Sequence, residues 1–193
     1  MPNTPSSSLK LRAAALALWA VHAQVAVAQP VTPIATPIVA PIATLDVPRY
    51  MGTWFEIAKY PNRFQRKCVR NTSAAYALQG DGTVQVANRC RTAQGDTIEA
   101  IGQARQIGAA TSPKLEVRFA PAWLSFLPMV WGDYWVIDLD ARYQLVAVSE
   151  PRREFLWVLS RTPQVDAQAY EALLGRLTQQ GFDTGRLERT PQD

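Results

Sequence analysis

From Leu45 onward the sequence is a series of short β-prone segments separated by turn residues, and this pattern limits the fold more than any other feature. Connections of hairpin length without intervening helices predict an antiparallel up-and-down meander. Eight such strands close into a barrel that holds one small ligand, and an open two-sheet sandwich is the alternative. Strands are predicted at 53–60, 71–79, 83–89, 97–107, 114–119, 132–139, 143–149 and 154–160.

One α-helix is predicted after these strands, so the fold class is all-β with a single C-terminal helix. Asp166 suits the N-cap, apolar residues follow at helical spacing, and Gly181 suits the C-terminal cap. Because the helix has one apolar stripe, we expect it to pack on the outer wall of the barrel. Residues 186–189 predict a short edge strand.

Residues 1–28 have the pattern of a secretory signal peptide. Lys10 and Arg12 precede a short apolar run, and Ala26-Val27-Ala28 forms a small-x-small cleavage site. An uncleaved membrane anchor is the alternative, but the run is shorter than the roughly 20 residues that a span needs. We therefore expect a periplasmic or secreted protein.

Residues 29–44 are predicted to be a linker that precedes a domain spanning 45–193. A proline occurs about every four residues in this stretch, which favours polyproline II conformation over core packing. The segment is interpreted as a spacer, and a recognition segment for a partner is the alternative.

The composition of the mature chain excludes several kinds of chemistry. The one His, His22, leaves with the signal peptide, which removes the usual general base and metal ligand. Without the two basic residues of that peptide, 20 − 2 = 18 basic residues face 16 acidic ones, a balance that argues against nucleic-acid binding. We expect no catalytic residues, no metal site and no cofactor.

Cys68 and Cys90 are the two cysteines of the chain. In an oxidising compartment they are most simply a disulfide, and a free thiol or an intermolecular bridge is the alternative. The turn at 80–82 would place Cys90 opposite residue 72, so a bulge or bend must bring the two cysteines together.

Three short motifs resemble the signatures of the lipocalin family. They are Gly52-x-Trp54 on the first strand, residues 138–143 after the sixth, and the Leu-Ser-Arg-Thr-Pro run at 159–163. The likeness covers about Leu45 to Gln192 and is strongest to bacterial lipocalins of the apolipoprotein D group. Many of those are outer-membrane lipoproteins, but no acceptor Cys lies near the predicted cleavage site here. Association with the outer membrane is therefore left open.

The resemblance also implies where the barrel is closed and where a ligand enters. Gly52, Trp54 and Arg161 would form the closed end, with the Arg161 guanidinium across the Trp54 ring. Alternation along the strands then predicts a ligand-binding lining, whose members are Phe64, Tyr76, Val86, Val117, Phe119, Tyr134, Val146, Phe155 and Trp157. Tyr76, Asn88 and Tyr134 could hydrogen-bond a head group. A filled core without a cavity is the alternative.

The loop between the fifth and sixth strands is unusually apolar. Trp123, Leu124, Phe126 and Leu127 predict either a membrane-surface contact or a lid that folds over the cavity and buries itself. Basic residues of the first loop, at 63–70, lie at the same rim and could meet lipid phosphates.

An apolar cavity with a few polar groups predicts binding, storage or transport of a fatty acid, lysophospholipid or similar lipid. A role in maintaining the cell envelope is the expected context. One alternative is a lipocalin-fold enzyme acting on a bound lipid, with Glu56 or Cys68 as the active group. We expect instead that Glu56 is a structural carboxylate at the closed end, paired with an arginine. Another alternative is an interaction protein working through residues 123–129. Homodimerisation is left open.

Overall fold

The computed structural model describes Met1 and residues 39–193. The rest of the predicted signal peptide and residues 29–38 of the predicted linker lie outside the described residues. Every predicted strand is present, with ends within two residues of the prediction. The strands are β1 Gly52–Lys59, β2 Arg70–Leu78, β3 Val84–Arg91, β4 Thr97–Gln106, β5 Lys114–Arg118, β6 Gly132–Leu139, β7 Leu145–Ser149, β8 Leu156–Ser160 and β9 Glu188–Arg189.

The strands form a single antiparallel sheet that closes on itself. Each strand from β2 to β7 pairs with the next, and β1 pairs with both β8 and β2. This closure confirms the eight-stranded barrel and rules out the open sandwich. β9 is the predicted edge strand and pairs with β1.

Closure between β1 and β2 is complete only at one end of the barrel. Their ladder runs from Gly52↔Tyr76 to Phe55↔Ser73 and then stops. Beyond that point residues 188–193 fill the gap. Thr190 N donates to Ile57 O, Asn71 N donates to Pro191 O, and the Gln192 side chain donates to both Glu56 O and Thr72 O. The C-terminal segment thus closes the gap between β1 and β2 near the mouth by hydrogen bonds to both strands. We call this contact the C-terminal seam.

Residues 39–193 contain the short helix α1, Val47–Tyr50, and the helix α2, Ala167–Gln179. Helix α2 packs outside the barrel as predicted. Asp166 accepts a hydrogen bond from Ala169 N at 2.8 Å, which caps the N-terminus. Leu173 and Leu177 are fully buried in an apolar cluster with outward-facing residues of β1, β7 and β8. A separate cluster, centred on Trp54, fills the closed half of the interior.

Part of the predicted linker belongs to the domain. Val39 is buried in the outer cluster with α2, and Ile42 packs against the inner cluster. Ile42 N also donates to Val136 O at 2.9 Å. The spacer interpretation is therefore wrong for residues 39–44, because the apolar residues between the prolines find partners on the barrel. Among the described residues, no helix is long and apolar enough to cross a membrane.

Cys68 and Cys90 form an intrachain disulfide with their Cα atoms 5.5 Å apart, as predicted. The required bulge lies on β2, where the register against β3 shifts between Arg70 and Ser73. Asn71, inside that shift, has a φ of 52°, a left-handed conformation that Asn tolerates better than most residues. The bridge ties the loop after β1 to the end of β3.

Candidate functional site

The closed end of the barrel is built around Trp54. The Arg161 guanidinium lies 3.9 Å from the centre of the Trp54 ring, and the indole Nε1 donates to Tyr50 O at 2.9 Å. Gly52 has a φ of 96°, and a Cβ there would lie 3.2 Å from Arg161 Nη1. The Arg161 side chain donates to four backbone carbonyl oxygens, those of Arg49, Tyr50, Thr53 and Tyr143. The three residues predicted for this end therefore meet in one cluster.

Glu56 differs from its prediction in both position and partner. It lies on the mouth side of the point where the β1–β2 ladder stops, and no arginine pairs with it within residues 39–193. Its carboxylate accepts hydrogen bonds from Gln65 Nε2 and Thr190 Oγ1. Burial raises the pKa of Glu56 above its ordinary value, against the lowering effect of those bonds. Glu56 thus joins the first loop to the C-terminal seam.

Three of the predicted ligand-binding residues form an aromatic row at the mouth. The ring centres of Phe64 and Phe155 are 5.5 Å apart, and Phe155 stacks on Trp157 at 5.7 Å. Trp157 Nε1 donates to Gln65 Oε1 at 2.9 Å, which fixes the indole against the first loop. Phe64 is 63% exposed, so the outer end of this row faces the entrance.

The opposite wall of the mouth is lined by small residues of β4. Ala100, on the inward face of the strand, is exposed, and a Cβ on Gly102 would lie 2.7 Å from the Phe119 ring. That ring therefore lies against Gly102 and is still 44% exposed. Val86, the cross-strand partner of Gly102, and Val146 are buried. Inward-facing residues are thus exposed near the mouth, which we call the open half of the interior, and buried toward the closed end. A filled core without a cavity stays the alternative to a ligand site.

Three tyrosine hydroxyls meet where the open and filled halves join. Tyr134 Oη lies 2.8 Å from Tyr50 Oη and 3.0 Å from Tyr76 Oη. Burial raises the pKa of Tyr76 to about 12 and that of the other two well above the ordinary value. Sequence reasoning found Tyr76 and Tyr134 but missed Tyr50, which lies in the short helix α1, Val47–Tyr50, outside the alternation of any strand.

The apolar loop between β5 and β6 remains exposed. Trp123, Phe126 and Met129 are 72%, 74% and 85% exposed, and Leu124 and Leu127 are partly exposed. Trp131 holds the loop on the outer wall, with its ring 4.1 Å from the Arg105 guanidinium and its Nε1 donating to Ser125 O. The loop does not bury itself, so the lid alternative does not describe this conformation.

A groove of about 510 Å³ runs along the rim beside the disulfide. Arg66 and Lys67 lie on one side of it, and Thr92 and Ile98 lie on the other. Neither basic residue forms an ion pair within the described part of the chain, whereas Arg70 is paired with Asp193. Asp96 also lines the groove, so two cations and one carboxylate lie next to the apolar Ile98 side chain at the entrance.

Comparisons with known proteins agree with this architecture. A family model described as "Lipocalin-like domain" matches residues 45–192. Temperature-induced lipocalin-1 of Arabidopsis thaliana is 40% identical over 151 residues, which cover 77% of this chain and 80% of the relative. Outer membrane lipoprotein Blc of Escherichia coli K12 is 35% identical over 180 residues, covering 93% and 94%. Mouse apolipoprotein D is 30% identical over 154 residues, covering 76% and 77%.

Solved structures with low sequence identity share the fold. Insecticyanin from the tobacco hornworm superposes with a TM-score of 0.61 at 19% identity, covering 80% of this chain and 84% of the other. The cockroach allergen Per a 4 superposes with a TM-score of 0.60 at 20% identity, covering 80% and 94%.

Proposed function

Since this chain belongs to the lipocalin family, we propose that its barrel binds and carries a small hydrophobic molecule in the open half of the interior. The observation that carries the proposal is the exposure of inward-facing residues near the mouth. Ala100 and Phe119 face the interior yet remain exposed, and the row from Phe64 to Trp157 lines the opposite side. A concave, mostly apolar site with a few polar groups is the usual form of a small-molecule site.

The ligand class that best fits the entrance is an amphiphile with an anionic head, such as a fatty acid or lysophospholipid. Arg66 and Lys67 stand at the rim groove without ion-pair partners in the described chain. A carboxylate or phosphate there would keep its charge near water and could pair with these two cations. The hydrocarbon chain would then extend inward along the Phe64, Phe155 and Trp157 rings. The head group is therefore expected at the mouth and the chain inside.

Binding is favoured over catalysis because the two candidate active groups, Cys68 and Glu56, are both engaged in other interactions. Cys68 is held in the disulfide and cannot act as a nucleophile. Both oxygens of Glu56 are occupied by neighbouring side chains. Turnover of a bound lipid that is lost in Glu56→Gln would contradict a binding-only role.

The exposed loop supports a second element of the proposal, contact with a lipid surface in the cell envelope. Trp123 and Phe126 project from the mouth end, where Arg66 and Lys67 can meet anionic head groups. If the mouth of the barrel lay against a bilayer, a lipid could pass from the bilayer into the barrel interior over a short distance. Sedimentation with anionic vesicles, lost in the double variant Trp123→Ser/Phe126→Ser, tests this contact. Self-association stays a prediction for analytical ultracentrifugation.

A fluorescent fatty acid tests the central proposal. We expect the mature protein to bind it with micromolar or better affinity, and Trp157→Arg to abolish binding because the charge would enter the apolar lining. Trp123→Arg makes the same change on the exposed loop and is the matched control, with affinity for the dissolved probe retained. Unchanged binding in Trp157→Arg would refute the lining. Native mass spectrometry of the purified protein would identify any lipid that copurifies.

A further inference from the structure

Three tyrosine hydroxyls lie at the base of the open half, where a purely apolar ligand would need no hydrogen-bonding groups. We propose that they form a hydrogen-bonding subsite for a neutral oxygen at the inner end of the ligand. This inference rests on the proposed function and adds to it a preference among ligands. Chains that end in a hydroxyl or carbonyl group should bind more tightly than chains that end in a methyl group.

A count of hydrogens supports the subsite. Three phenolic O–H groups bring three hydrogens, and two hydrogen bonds join them, one on each side of the Tyr134 hydroxyl. One hydrogen is therefore left without an acceptor inside the cluster. Tyr134 is the central member and the most accessible of the three, since Tyr50 and Tyr76 are buried. When both neighbours donate to Tyr134, its own hydrogen has no acceptor within the cluster and is free for a ligand oxygen.

The charge around the cluster favours a neutral oxygen over a carboxylate. Within residues 39–193 no Lys or Arg side chain donates to the three hydroxyls. The nearest guanidinium interaction, that of Arg161, is directed at the Trp54 ring and four carbonyl oxygens on the closed side. The charge of Arg161 reaches Tyr50 and Tyr76 only as a minor effect. An anion at this depth would be buried without a cation that donates to it, which is costly, whereas a hydroxyl or ketone would gain a donor.

The depth of the cluster matches the length of a medium hydrocarbon chain. Tyr76 pairs across the sheet with Val86, and Cys90 at the rim is four residues farther along the same strand. Four residues of strand span about 13 Å, less when the strand is tilted. The inward residues of β4 along this path are Ala100, which is exposed, and Gly102, which the Phe119 ring covers, so a chain would run over Ala100 and beside that ring. Asn88 lies one inward position nearer the rim and is the competing polar group.

Paired ligands test the subsite in the purified, disulfide-bonded mature protein. Displacement of a fluorescent fatty acid would compare dodecanoate with ω-hydroxydodecanoate. We expect the hydroxy acid to bind about fivefold more tightly, the effect of one net hydrogen bond. Tyr134→Phe should reduce the ratio to about one, and Asn88→Ala, the matched control, should preserve it. A preference that survives in Tyr134→Phe, or disappears only in Asn88→Ala, would overturn the assignment.

Two further readouts need no variant. A ketone on the penultimate carbon accepts but cannot donate, so it should keep the preference if Tyr134 is the donor; loss of the preference with the ketone would contradict that role. Equal affinity of the wild-type protein for dodecanoate and ω-hydroxydodecanoate would overturn this inference alone. If neither acid binds, the proposed function fails, and this inference fails with it.

Discussion

Arg161→Ala tests the division of the barrel into a closed end and a ligand-binding end. The substitution removes four hydrogen bonds to carbonyl oxygens and the contact with the Trp54 ring. A net hydrogen bond contributes about 1 kcal/mol, and an accessible cation–π contact contributes about 0.5–1 kcal/mol. Because the guanidinium is only partly buried and such terms are not additive, we expect a loss of about 3–4 kcal/mol in the free energy of unfolding.

Urea unfolding followed by far-ultraviolet circular dichroism, with the disulfide intact, measures this loss. For a domain of this size it corresponds to a fall in melting temperature of roughly 10 °C. Arg161→Lys keeps the charge but not the planar fork, so we expect it to recover less than half of the stability. Arg142→Ala is the matched control, because its side chain is 88% exposed and its ion pair with Asp140 is long, at 4.0 Å; a change within about 0.5 kcal/mol is expected.

The ligand assay supplies the refuting result. The Arg161 side chain points away from the open half, so the ranking of fatty acids by affinity should not change in Arg161→Ala. A changed ranking with unchanged stability would contradict the closed-end role. A loss of less than about 1 kcal/mol would show that the hydrogen bonds of Arg161 are replaced by water at little cost.

The remaining predictions concern the groups around the mouth. Glu56 has a raised pKa in the folded protein, so the folded state holds its proton more tightly than the unfolded chain, and stability should fall as pH rises above about 4.5. Glu56→Gln should flatten this fall, which urea unfolding at several pH values measures; an unchanged pH profile would contradict the assignment. Replacing Cys68 and Cys90 together by serine should lower stability by about 3 kcal/mol, as expected for a bridge spanning 22 residues. A loss below about 1 kcal/mol would indicate that the unfolded chain is already constrained.

The strands were predictable because each carries its own signal. Alternation at 114–119 and the glycines at 80–82 depend on neighbours only a few residues apart, and the structure places strand ends close to those positions. The meeting of Trp54 and Arg161 was predictable for another reason, the family resemblance of the motifs that contain them. No local pattern would have brought two residues more than 100 positions apart together.

The features that sequence reasoning missed all depend on distant contacts. Glu56 meets Thr190 across 134 residues, and nothing near Glu56 indicates that the C-terminal segment supplies a hydroxyl there. Tyr50 lies in α1, and its hydroxyl contacts that of Tyr134, which is 84 residues away in the sequence. The 123–129 loop is anchored by Trp131, which donates to Ser125 O and contacts Arg105 on β4. Composition indicated an apolar loop but could not distinguish a buried lid from an exposed one.

The pairing of β1 has a consequence for how the chain folds. One edge of β1 pairs with β2, which follows within about twenty residues, so that contact can form early. The opposite edge pairs with β8, roughly a hundred residues later, and the part of the first edge beyond Phe55 is covered only by the segment from Glu188. Until then β1 has an unpaired edge that could join another chain. Aggregation during refolding should therefore begin at β1. Slow synthesis of residues 156–193 should lengthen the time during which the edge of β1 is unpaired and can join another chain.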